Sequence, residues 1–156
     1  MPRKKLEPAG FETGGCSGFL RIYHDMLDSP AWKSLSLRQR GLYLAFKERY
    51  QEKRADGKIV SSNADAIHLS GQEATKPGPN GEPPLYKNKL TFYADLDALI
   101  EAGFIKVVTT GYYSRSATAY GFSERWKQYR PGKPPVIPLN EQRLKRREEA
   151  PAMACI

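Results

Sequence analysis

Lys87, Asn88, Lys89 and Thr91 crowd the start of a helical run, and their side chains suit one kind of chemistry. Lysine neutralises phosphate, asparagine reaches phosphate oxygens or base edges in a major groove, and threonine meets a phosphate or a thymine methyl. A second group, Tyr112, Tyr113 and Arg115, lies in the polar turn spanning residues 110–117. Arg115 suits a narrow minor groove or a phosphate, and the two phenols can donate to phosphates. Arg38 and Arg40 open an earlier helical run and add two cations. The plain alternative is a solvated helix face and a polar turn with one tyrosine packed on a sheet.

The elements that would position these groups are written in the same stretch. Asn88 is a good helix N-cap. Phe92, Leu96 and Leu99 fall at i, i+4 and i+7 with Ile100 widening the stripe, which predicts a helix over residues 88–102. Lys87, Asn88, Lys89, Thr91, Ala94 and Asp95 are left on its outward face. Gly103 fits the left-handed position just past the helix, from which Phe104 can fold back on Leu99. The period then becomes two, so strands are expected over 104–109 and 117–122, paired antiparallel.

Upstream, Ser36 and Gln39 fit a capping box ahead of a helix over 37–53, with Leu42, Ala45 and Phe46 on its inner face. Asp56 and Gly57 mark a turn, 58–61 a short strand, and 63–69 a small second helix with Gly71 beyond its end. Residues 19–23 alternate like a short strand, and 24–29 predict a short helix halted before Pro30. Phe46, Phe92, Leu96, Leu99 and Ile105 are expected in the core, as are Trp32, Tyr120, Phe122 and Trp126.

The domain plan is a flexible arm over 1–18, one domain over 19–130, and a Pro-rich linker with a charged tail over 131–156. Inside the domain, 72–85 reads as a loop insertion, because 76–84 holds four prolines and two glycines.

Charge and composition narrow the function classes. The net charge is +8, from 25 basic and 17 acidic residues, and it is unevenly spread. Seven basic residues stand against three acidic ones over 36–58, and five against one over 104–130, whereas 86–103 is slightly acidic. A nucleic-acid surface would therefore draw on the first long helix and the later turn, joined only by the start of the helix between them. Cys16 and Cys155 lie near opposite ends without a CxxC or Cys/His cluster, which supports neither a zinc site nor a disulfide. His24 and His68 have no partner at metal or catalytic spacing. Asp95 and Asp97 diverge on their helix, and Asp25 and Asp28 fit a short solvated one. Phosphate-loop, dinucleotide, zinc-protease and nucleophile-elbow motifs are missing, so no catalysis, metal or cofactor is expected. No apolar run is long enough to span a membrane and no signal segment opens the chain, so the expected location is the cytoplasm.

Three stretches carry a resemblance. The first is Leu-Asp-Ala-Leu-Ile-Glu-Ala-Gly-Phe-Ile over 96–105, which is similar to the end of the recognition helix in winged helix-turn-helix proteins. The second, Met-Leu-Asp-Ser-Pro-Ala-Trp-Lys-Ser-Leu-Ser over 26–36, and the third, Tyr-Gly-Phe-Ser-Glu-Arg-Trp over 120–126, resemble the opening and close of the domain in members carried by bacterial phages, plasmids and conjugative elements. The resemblance covers roughly 19–129 and implies an α+β, mainly α, fold: a three-helix core with a small antiparallel sheet and wing. It implies double-stranded DNA as the partner, in transcription control or replication initiation; the residues whose own chemistry and placement suit that contact are Arg38, Arg40, Lys87, Asn88, Lys89, Thr91, Tyr112, Tyr113 and Arg115. In that family the position of Ala94 often carries a longer polar or basic side chain, and the long insertion between the second and third helices departs from the pattern. Three other uses stay open: a winged helix serving protein–protein assembly, favoured by the acidic residues of the third helix; RNA binding; and, weakest, a metal-dependent nuclease.

Overall fold

The computed structural model describes residues 20–110 and 117–139. The N-terminal arm and the charged tail beyond 139 lie outside the described residues. Along the chain run α1 (His24–Asp28), α2 (Pro30–Ser34), α3 (Leu37–Glu48), β1 (Glu52–Ala55), β2 (Lys58–Ser62), α4 (Gly71–Ala74), α5 (Lys89–Glu101), β3 (Ile105–Thr109), β4 (Ala119–Phe122) and a 3-10 turn (Arg125–Gln128). The fold is α+β: among the described residues, five helices with two antiparallel ribbons, β1–β2 and β3–β4.

The local signals around α5 set its ends. Asn88 Oδ1 accepts the Thr91 amide at 2.9 Å, which satisfies one unpaired donor of the first turn. At the other end Gly103 has φ +88°. Its amide donates to the Ile100 carbonyl and the Phe104 amide to the Leu99 carbonyl, both at 3.0 Å, completing a Schellman stop. That stop turns Phe104 into the core, edge-on to Trp32 and Tyr43 and stacked on Trp126 at 6.0 Å. Phe92, Leu96, Leu99 and Ile100 form the inner face of α5, and Leu42, Tyr43 and Phe46 that of α3. The capping box of α3 is present, with Ser36 Oγ accepting from the Gln39 amide and Gln39 Oε1 from the Ser36 amide.

β3 and β4 pair antiparallel, with Ile105 opposite Phe122 and Val107 opposite Tyr120. A third segment joins them at one point. Ile67 and Tyr120 exchange two backbone bonds, of 2.9 and 2.8 Å, so residue 67 lies beside β4 as a one-residue strand.

Several expectations are corrected here. Residues 63–69 are not helical. Asn63 is tied down by its side chain, which accepts from the Gln51 amide at 2.7 Å and donates to the Arg49 carbonyl at 2.8 Å. The bridge to Tyr120 then draws Ile67 into extended backbone. The short helix comes later, as α4, capped by Ser70, and Gly71 begins it rather than following it. α3 ends at Glu48, because 52–55 leave the helix to pair with 58–62 across the Asp56–Gly57 turn, where both residues take positive φ. The strand at 58–62 therefore belongs to its own hairpin, not to the β3–β4 ribbon. Residues 20–23 form no strand.

The Pro/Gly insertion closes on itself: the Tyr86 amide donates to the Ala74 carbonyl at 2.9 Å, and Gly78 to Glu82 at 3.0 Å. The Pro-rich segment after Arg130 is not a free linker either. The Val136 amide donates to the Glu101 carbonyl at 2.9 Å, and Ile137 is only 2% exposed within the core. Ile137, with Val136 and Leu139 packed against the core beside it, holds this segment down where composition alone reads as spacer.

Gly103 carries two demands at once. A side chain there would need left-handed backbone, and its Cβ would lie 2.6 Å from the Trp126 amide nitrogen. Gly132 (φ +72°) has the same backbone demand with nothing within 4 Å. Gly132→Ala should therefore cost only about 1–2 kcal/mol, the price of the left-handed conformation. Gly103→Ala should cost clearly more, because the 3-10 turn must also shift. Urea unfolding of the two variants would show the ordering; equal losses would mean that the close approach to Trp126 does not constrain the fold.

Candidate nucleic-acid interface

The site is built around the first half of α5. Asp95, placed by its spacing on the outward face of the helix, instead points inward and is 2% exposed. Three residues from elsewhere in the chain surround its carboxylate. Arg38 donates through Nε to Oδ2 at 2.5 Å and through Nη2 to Oδ1 at 3.2 Å; Tyr86 Oη donates to Oδ2 at 2.8 Å; Gln39 Nε2 lies 3.4 Å from Oδ1. A buried carboxylate is tolerated only when it is hydrogen-bonded and paired, and this one is both. Burial opposes its ionisation, but the bonds from Arg38 and Tyr86, the charge of Arg38 and the bond from Gln39 outweigh it and hold the carboxyl below its ordinary pKa. Tyr86 is pushed the other way, first by burial and then by its bond to Asp95.

This network fixes the neighbours of the candidate residues. Tyr86 immediately precedes Lys87, so the Asp95 bond sets where the chain enters α5. Lys87, Asn88 and Lys89 are exposed and Thr91 is half-buried. Arg38 stands beside them, with its side chain 58% exposed and its guanidinium engaged by Asp95. Arg40 is not brought to this cluster. Its Nε donates to the Trp32 carbonyl at 3.2 Å and Nη2 to the Lys33 carbonyl at 3.4 Å, with the guanidinium 5.6 Å from the Trp32 ring, which places it on α2. Tyr112, Tyr113 and Arg115 lie outside the described residues.

Asn88 and Thr91 are committed in part to the helix itself. Asn88 Oδ1 accepts both the Thr91 amide and the Thr91 hydroxyl, each at 2.9 Å. The outward face of α5 is instead made by Leu90, Tyr93, Ala94 and Asp97, at i, i+3, i+4 and i+7, with the half-buried Glu101 one turn further. Leu90 was missed because it breaks no pattern; its signal is that it falls off the Phe92–Leu96–Leu99 stripe. Read along this face, the helix is basic at its start, apolar over its first turns and acidic towards its end.

α4 sits against that start. A Cβ at Gly71 would lie 3.1 Å from Tyr93 Oη and 3.3 Å from Lys89 Cγ, so the bare backbone of α4 lets both side chains lie beside it. Arg49 links the end of α3 to the same region, pairing with Glu73 at 3.1 Å and donating to the His68 carbonyl at 3.0 Å. Among the described residues no group of acidic, histidine or cysteine side chains could hold a metal ion, and no helix is long and apolar enough to cross a membrane.

No family model, curated protein or solved structure matches this chain. What the site does must be argued from its own geometry.

The Asp95 network predicts a pH dependence. A carboxyl held below its unfolded pKa of about 3.9 contributes stability that is present above that value and lost as pH falls through the folded pKa. Asp95→Asn should be less stable than the parent by about 1.5–3 kcal/mol near neutrality, the range for hydrogen bonds to a charged group. The gap should narrow as both proteins are acidified. Urea midpoints compared from about pH 7 to about pH 2 would show it, and a gap independent of pH would mean that the ionised form of Asp95 is not what the network favours.

Proposed function

We propose that the chain binds duplex DNA as a winged helix, without catalysis, in controlling transcription or initiating replication of a mobile element. The bridge between Ile67 and Tyr120 carries this reading. With it the order becomes helix α3, strand at Ile67, helix α4, helix α5, strand β3, turn, strand β4. That order is compatible with a three-helix core whose third helix leads directly into a two-stranded ribbon, bridged at one residue by Ile67. In such a unit the third helix lies in the major groove and the turn touches the backbone beside it.

The charge distribution along α5 supports the same orientation. Lys87 and Lys89 flank the entry of the helix, while Asp97 and Glu101 lie on its later turns. A helix that enters a groove by its N-terminal half presents the lysines to phosphate and keeps the acids away from it. The short α4 beside Lys89 supports a helix-turn-helix pair, although the insertion over 75–85 separates the two helices more than usual. The mobile-element role rests on the likeness of the three sequence stretches alone.

Affinity for duplex DNA measured by fluorescence anisotropy should fall steeply with salt. About four to six phosphate contacts would give a slope of roughly −4 to −5 in log affinity against log salt. Replacing Lys87 and Lys89 together by glutamine should flatten that slope by about two units. Arg40→Gln, at a guanidinium engaged on α2, should leave it unchanged. Absence of binding at low salt, or an unchanged slope in the double variant, would remove the DNA reading.

A further inference from the structure

The outward face of α5 deepens the reading above, on which this inference rests. A helix that reads base edges through hydrogen bonds needs polar side chains in its first turns. Here the two candidates, Asn88 and Thr91, bond each other in the helix cap. What faces outward instead is Leu90, 84% exposed, with Tyr93 at 47% and Ala94 beside it. An exposed leucine at the second position of a helix contributes nothing to the core, which is filled from the opposite face by Phe92, Leu96 and Leu99.

We propose that Leu90, Ala94 and Tyr93 form an apolar surface that reads thymine through its 5-methyl group in the major groove, while Lys87 and Lys89 hold the flanking phosphates. The charges fit this occupant. The two lysines lie directly ahead of the apolar turns, where a phosphate backbone borders a groove. The thymine methyl is the apolar feature that base pairs present in the major groove, and small or apolar side chains are its usual partners. Target sites should therefore carry thymines under the first two turns of α5. The other occupant an apolar helix face can take is a partner protein, and the same experiment separates the two.

The test uses the full chain and a pool of random duplexes. Duplexes retained after several rounds of binding are sequenced. The best is then remade with deoxyuridine at each thymine in turn, a change that removes the methyl and leaves every hydrogen-bonding group in place. At one or more positions this should weaken binding about fourfold, the equivalent of one buried methyl at about 0.8 kcal/mol. Leu90→Ala should bind the thymine duplex more weakly and lose its sensitivity to deoxyuridine at those positions. Its thermal midpoint should match the parent, because Leu90 is exposed. If the chain binds duplex DNA with a steep salt dependence but deoxyuridine has no effect anywhere, or Leu90→Ala stays equally sensitive, the methyl-reading proposal fails and the DNA reading survives. If no duplex is retained and no salt-dependent binding occurs, both fail and a protein partner takes the face.

Discussion

Asp95 is the point at which three separately made parts of this protein meet. Its carboxylate sits on α5, and its donors come from the first turn of α3 and from Tyr86 at the end of the insertion. Without those donors the carboxylate would be a buried charge, which folded proteins do not tolerate. Without the carboxylate, the phenol of Tyr86 would be buried with no acceptor, and the guanidinium of Arg38 would lose its anchor. The angle at which α3 crosses α5 and the point at which the chain enters α5 are therefore set together. Apolar packing between Phe46, Phe92, Leu96 and Phe104 supplies the cohesion, but a hydrophobic face alone leaves freedom to slide and rotate. A bidentate ion pair on a fixed carboxylate removes much of that freedom.

Much of α5 and the following ribbon was legible in the sequence, because the signals are local. Asn88 caps from its own position, Gly103 stops the helix with its own backbone, and the change of period from Leu99 to Val107 needs no knowledge of the rest of the chain. The segment from Asn63 to Ser70 was not legible in the same way. Its path is set by Arg49 and Gln51, which hold Asn63, and by Tyr120, far along the chain, which pairs with Ile67, so its own residues look as suitable for a helix as for a strand. Ile137 was hidden for a related reason: proline-rich composition describes a backbone preference and says nothing of one isoleucine finding a place in the core.

The candidate site was legible in its charges and not in its geometry. Lys87 and Lys89 are where the sequence puts them, exposed at the start of α5. Arg40, in contrast, reads as a surface cation and is held by two carbonyls on α2 and by the face of Trp32. Asp95 reads as an acid on the outward face of α5, and its inward rotation takes that charge off the surface. The partners of Arg40 lie in the preceding helix and Arg38 lies far from Asp95 in sequence, so spacing along one helix reveals neither.

The hairpin of β1 and β2 and the Pro/Gly insertion share a construction. Each leaves the frame and returns to it at a pair of residues joined backbone to backbone, Gln51 with Asn63 at 3.1 Å and Ala74 with Tyr86 at 2.9 Å. None of the strand residues of the hairpin is buried. Both excursions are thus cassettes plugged into closed sockets, and the cost of closing a loop rises only slowly with its length. The frame can accept a different cassette at either socket, longer, shorter or of other chemistry, while α5 beyond them keeps its aim.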